Sequence, residues 1–111
     1  DATYYNPLNA LVNEDPRMKK ALRKFASEMR KRGFDYSHPD DVKPDLWERL
    51  DAITQNRSIP VSRLSAEQLE ALQELQKFER NIARVNFKLA EDLFDPVEER
   101  ILREMYSRNV N

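Results

Sequence analysis

The sequence predicts an all-α fold, a small bundle of about four helices with one long central helix. Close to half of the residues are Ala, Glu, Lys, Leu or Arg, which is the composition of long helices. Gly33 is the only glycine, whereas tight strand-to-strand turns depend largely on glycine. Apolar residues also recur at spacings of three and four. With 111 residues, we expect a single helical domain over residues 1–111.

The first well-marked helix is predicted over residues 16–32, after an N-terminal arm over 1–15 that includes a helical turn from Pro7 to about Asn13. Asp15 can accept hydrogen bonds as the N-cap, and Pro16 suits the first helical position because its missing N–H would have no partner there. Gly33 is placed to end the helix in the left-handed conformation, so that Phe34 packs back on Met29.

Three further helices are predicted over residues 44–56, 66–94 and 96–108. The start of the long helix is marked by Ser65 and Gln68, which have the spacing of a capping box. The Asp95-Pro96 pair is expected to end that helix and, through Asp95, to cap the next one. The predicted core comprises Leu22, Phe25, Met29, Trp47, Leu50, Leu72, Leu75, Phe78, Ile82, Leu89, Ile101 and Met105.

Most kinds of catalytic and metal site lack the residues that they need. The chain contains no cysteine and one histidine, His38, which excludes thiol nucleophiles, thiolate zinc sites and histidine clusters. No glycine-rich loop precedes a helix, so nucleotide-binding loops are not expected. The sequence therefore predicts a protein that is not an enzyme and that has no catalytic, cofactor-binding or metal residues.

A dense run of positive charge covers the first well-marked helix, with Glu28 as its only acidic residue. Such a face could follow a phosphate backbone, which makes a nucleic-acid-binding protein the alternative function. An acidic partner, or a solvated face without a partner, explains the same pattern. The candidate contact residues are Lys19, Lys20, Arg23, Lys24, Arg30, Lys31 and Arg32.

The predicted helix over 66–94 would be on the order of 43 Å long, which is long for a domain whose radius of gyration should be near 13 Å. Part of its apolar stripe is therefore expected to contact a protein partner or to support oligomerisation. The leading hypothesis is a non-catalytic interaction module: an assembly subunit, such as a viral or phage part, or a small regulator or inhibitor of another protein. The candidate partner contacts are Tyr4, Tyr5, Phe87, Leu93 and Phe94.

Neither a membrane span nor a signal peptide is visible, because no apolar run approaches the roughly 18 residues that a span needs. The net charge of −1 provides no general attraction to anionic surfaces. Together with the lack of cysteine, these features favour a reducing, cytoplasm-like compartment.

Overall fold

The computed structural model describes residues 7–109 and confirms the predicted fold class: a small all-α bundle of four helices, one of them long. It is 84% helical, without strands in the described residues. The elements are α1 (Pro7–Glu14), α2 (Pro16–Lys31), α3 (Val42–Thr54), α4 (Ala66–Leu89) and α5 (Asp95–Asn109). A π-helical segment, Ala90–Phe94, joins α4 to α5 without a loop, and the three together are the long helix. Short 3₁₀ turns lie at Pro39–Asp41 and Val61–Arg63.

The chain divides into two compact units. The first comprises residues 1–38 and 87–111, and the second comprises residues 39–86. In the described part of the first unit, α1, α2, the π-helical segment and α5 pack on one another. Their core contains Val12 of α1, Met18 and Ala21 of α2, and Ile101 of α5. Phe25 is fully buried, and its ring centroid lies 5.5 Å from that of Phe94 in the π-helical segment.

The second unit is built around the α3–α4 hairpin, which consists of α3 and residues 66–86 of α4. The capping box predicted at the start of α4 is present: the Ser65 N–H donates to Gln68 Oε1 at 2.8 Å, and the Gln68 N–H donates to Ser65 Oγ at 3.1 Å. Gln68 also donates through Nε2 to the backbone carbonyl of Ile53 at 3.1 Å. This side chain therefore both starts α4 and ties it to the last turn of α3.

The termini of α2 also match the sequence prediction. The Arg17 N–H donates to Asp15 Oδ1 at 2.8 Å, as expected of an N-cap. At the other end, Gly33 has a φ of +86°. The Phe34 N–H donates to the Met29 carbonyl at 2.9 Å, and the Gly33 N–H donates to the Arg30 carbonyl at 3.0 Å. These two bonds define a Schellman motif, which satisfies carbonyl groups that the helix itself leaves without donors.

The predicted break at Asp95-Pro96 is wrong, because helical structure continues through both residues. Asp95 has helical angles, φ −58° and ψ −44°, and its N–H donates to the Ala90 carbonyl, five residues back. Pro96 lacks an N–H, and in a regular α-helix its ring would meet the carbonyl group four residues upstream. The wider π-helical turn before it relieves that conflict, as such bulges do in other kinked or interrupted helices.

Two further predictions need correction. Helix α3 begins at Val42 rather than at residue 44, because the 3₁₀ turn before it leads directly into the helix and Pro44 falls in the first turn, where its missing N–H costs nothing. It ends at Thr54 because Gln55 is left-handed, with a φ of +51°. Trp47, which we expected in the core, is 50% exposed.

Of the other predicted core residues, Phe25, Met29, Ile82, Leu89 and Ile101 are buried, which confirms five of the twelve assignments. Six more are only half-buried: Leu22, Leu50, Leu72, Leu75, Phe78 and Met105. Four of these six lie in the α3–α4 hairpin. The apolar stripe of the hairpin therefore forms a seam between two helices that solvent still reaches.

Candidate functional site: the hairpin grooves and the basic face

The α3–α4 hairpin carries an apolar groove on each side of its seam. The Trp47 groove has a volume of about 440 Å³, and its lining residues are Lys43, Leu46, Trp47, Leu50, Leu72, Leu75, Gln76 and Glu79. The Phe78 groove has a volume of about 520 Å³, and its lining residues are Arg49, Ala52, Ile53, Ala71, Glu74, Leu75 and Phe78. Leu75 lines both grooves and therefore separates them along the seam between the helices.

An arginine covers one aromatic ring in each groove. The guanidinium carbon of Arg57 lies 4.9 Å from the ring centroid of Trp47, and that of Arg49 lies 4.2 Å from the centroid of Phe78. Arg57 Nε also lies 3.0 Å from Asp51 Oδ1. These cation–π contacts hold partly exposed rings in place without removing them from solvent, because the arginine itself stays at the surface.

The corner that follows α3 is an exposed left-handed turn held by side-chain hydrogen bonds. Gln55, Asn56 and Arg57 all have positive φ values, of 51°, 60° and 64°. Buried Thr54 holds this left-handed turn: its Oγ1 donates to the Leu50 carbonyl at 2.9 Å and accepts from the Arg57 N–H at 2.9 Å. The turn thereby places Arg57 so that its side chain reaches back to Trp47.

The basic face is defined as the seven lysine and arginine residues predicted as contacts in the helix over residues 16–32. Three of the seven form ion pairs with nearby carboxylates, and four do not. Lys19 pairs with Glu14 at 3.3 Å. Lys31 and Arg32 both pair with Glu28, at 3.3 and 2.8 Å. These cations lower the pKa of Glu28 below its ordinary value, chiefly through the hydrogen bond from Arg32.

Four of the seven basic residues are exposed and form no ion pair with any carboxylate in the part of the chain that the structure describes: Lys20, Arg23, Lys24 and Arg30. They project from the side of α2 opposite its buried residues, Met18, Ala21, Phe25 and Met29. The free positive charge of α2 is therefore a strip of four side chains along a single solvent-facing side.

The five residues predicted as partner contacts differ in their exposure. Phe87 is 72% exposed and is available to a partner. Phe94 packs against the core of the first unit and contacts Phe25, so it serves the fold, and Leu93 is half-buried. Tyr4 and Tyr5 lie outside the described residues. The apolar stripe of α4 was predicted to contact a partner, but Trp47 of α3 was predicted in the core. Its place beside that stripe was the signal that could have identified the Trp47 groove.

Residues 7–109 hold no group of three or more His, Asp or Glu side chains placed to bind a metal ion. Among the described helices, none combines the length and apolar character needed to cross a bilayer. No protein-family model, curated protein or solved structure matches the chain.

Proposed function

We propose that this protein is a non-catalytic helical interaction module that binds a protein partner through the α3–α4 hairpin. The observation that supports this proposal most directly is the pair of apolar grooves that share Leu75. Leucine side chains at a seam between two helices are normally covered, and burying them contributes about 25 cal/mol per Å². Apolar grooves that hold an aromatic side chain and are rimmed by charged and amide groups resemble the apolar centre and polar rim of protein interfaces.

The aromatic and arginine residues of the hairpin support the same proposal. Tryptophan and arginine are the residues that most often dominate the binding energy of protein interfaces. Trp47 and Arg57 form such a pair, already oriented by the left-handed turn after α3. A partner that covers them would lose little side-chain freedom from this protein, because the contacts exist before binding.

Site-specific photo-crosslinking in cells tests the proposal. A photoreactive phenylalanine analogue at Trp47 should capture a discrete protein, whereas the same analogue at Glu48 should not, because Glu48 is exposed and lines neither groove. The captured protein is then purified and titrated against this chain. The signal is the emission of Trp47, the single tryptophan of this chain.

Two neighbouring substitutions provide the matched comparison in that titration. Leu72→Ala removes three carbon atoms from the Trp47 groove. Because Leu72 is already half-buried, only part of this side chain becomes newly buried on binding, and we expect Kd to rise about tenfold at about 0.8 kcal/mol for each CH₂ buried. Gln73→Ala changes an exposed residue that lines neither groove and should leave Kd unchanged. Crosslinking at Trp47 no stronger than at Glu48, or equal effects of the two substitutions, would contradict the proposal.

A second candidate function is nucleic-acid binding through the basic face, favoured by the four cations without carboxylate partners. Four phosphate contacts predict a slope of log K against log salt near −3.6, from about −0.9 for each contact. Labelled single- and double-stranded DNA and RNA at roughly 50 and 200 mM salt provide the measurement. The triple variant Arg23→Glu, Lys24→Glu, Arg30→Glu should abolish binding, and Lys77→Glu, whose lysine pairs with Glu74, serves as the control.

A further inference from the structure

The Trp47 groove is occupied, we infer, by the same groove of a second copy of this chain, so that two α3–α4 hairpins form a four-helix bundle. This inference rests on the proposed function and names its partner. The two edges of the groove carry opposite charge. Lys43 lies on the α3 edge and Glu79 lies on the α4 edge.

These two residues lie at the same height along the hairpin. The hydrogen bond from Gln68 to Ile53 sets the register of the antiparallel helices. Lys43 is ten residues from Ile53 along α3, and Glu79 is eleven residues from Gln68 along α4. At 1.5 Å per residue, both lie about 15 Å from the Gln68–Ile53 bond.

Lys43 and Glu79 each lack an ion-pair partner among residues 7–109. Both side chains are exposed. A two-fold axis parallel to the helices places α3 of one copy on α4 of the other at equal height. Lys43 of each copy then meets Glu79 of the other, and Trp47 lies over the edge that carries Leu72 and Gln76.

The other face-to-face arrangements lack this match. A two-fold axis perpendicular to the helices brings opposite ends of the hairpins together, so Lys43 and Glu79 are separated by most of the length of α3. Both axes make every neighbouring pair of helices antiparallel, as in up-and-down four-helix bundles, so the match of Lys43 with Glu79 is what favours the parallel axis. The interface is isologous, as two-fold dimers require.

The size of the hairpin limits the strength of this dimer. Helix α3 has 13 residues, so the face shared with α4 is about 20 Å long and about 20 Å wide, from helix dimensions. Such a face offers about 400 Å² on each copy and about 800 Å² in total, which is below the size of stable complexes and in the range of weak, transient ones. We therefore expect a reversible dimer with a dissociation constant in the micromolar range.

Sedimentation equilibrium of the full chain from about 1 to 200 μM, spanning this range, should show a monomer–dimer equilibrium. Lys43→Glu and Glu79→Lys should each weaken the dimer about tenfold, because each places two like-charge pairs in it. An equimolar mixture of the two variants should recover the wild-type dissociation constant, since every contact in the mixed dimer then joins opposite charges. Glu48→Lys and Arg84→Glu, exposed positions that line neither groove, are the charge-matched controls.

Each outcome has a definite meaning. Weakening by both single variants and recovery on mixing support the two-fold pairing. A monomer throughout the concentration range, or a dimer that neither variant alters, overturns it. If the chain is monomeric and photo-crosslinking at Trp47 captures a different protein, the proposed function holds and the self-association fails. Circular dichroism of every variant verifies that the helices remain folded.

Discussion

Arg17 binds Glu104 through two parallel hydrogen bonds, Nη1 to Oε1 at 2.8 Å and Nη2 to Oε2 at 2.9 Å, across 87 residues of sequence. The same guanidinium donates from Nε and Nη2 to Asp15, the residue that caps α2. The start of α2 is thereby tied to α5 within the first unit. Because Arg17 donates to both carboxylates, it lowers the pKa of Glu104 and of Asp15 below their ordinary values and raises its own.

Lowering the pH should therefore reduce the stability of the first unit. A carboxylate whose pKa is lowered by folding binds fewer protons in the folded state than in the unfolded state. Its contribution to stability is therefore complete above its unfolded pKa and is lost as the pH falls through its folded pKa. The thermal midpoint should fall as pH decreases below about 4.5, the ordinary glutamate value. Glu104→Gln should lower the midpoint by a few degrees at pH 7 and match the wild type at low pH.

Glu99→Gln is the control for this measurement, because Glu99 lies on the same helix but pairs with Arg103, four residues away on α5 itself. We expect a smaller loss, since exposed pairs within one helix contribute little. Equal effects of the two substitutions at every pH would show that the link between α2 and α5 adds nothing.

Truncating the aromatic pair in the first unit should destabilise it strongly. Phe25 is 0% exposed and packs on Phe94, so Phe25→Ala should lower the free energy of unfolding by about 3–5 kcal/mol. Phe87→Ala, at a residue that is 72% exposed, should change it by less than about 0.5 kcal/mol. Urea unfolding followed by circular dichroism measures both. Similar losses at the two positions would contradict the burial described above.

Gly33→Ala tests backbone strain separately from packing. A Cβ at Gly33 would meet no atom within 4 Å, but the φ of +86° is unfavourable for any side chain. The substitution should therefore cost about 1 kcal/mol in chemical denaturation. Gly33→Asn should cost less, because asparagine tolerates the left-handed region. If alanine costs nothing, the Schellman motif does not persist in solution.

The turn after α3 should open when its central hydroxyl is removed. Thr54→Val retains the shape of the side chain but leaves the Arg57 N–H without its acceptor, so we expect faster tryptic cleavage after Arg57 and a loss of about 1–3 kcal/mol. Ser58→Ala removes an exposed hydroxyl that donates to the Gln55 carbonyl at 2.7 Å and should have a smaller effect. Unchanged cleavage in Thr54→Val would show that the hydroxyl does not hold the turn.

The basic face illustrates the limit of sequence reasoning about sites. Its position on α2 and its seven members were readable from spacing alone. The sequence could not show which of these cations are free of ion pairs, because that depends on where the carboxylates of Glu14 and Glu28 lie. The Trp47 groove was missed for a related reason: periodicity predicts which side of a helix is apolar but not whether a neighbouring element covers it.

The sequence by itself determined the all-α class, the caps of α2 and the capping box of α4. These features depend on contacts within about five residues, so residue type and spacing are sufficient to specify them. Only the tertiary structure decided that helical structure passes through Asp95-Pro96, that Phe94 joins the core and that Trp47 stays half exposed. Each of those outcomes depends on packing between segments far apart in the chain, and local propensity is too weak to determine it.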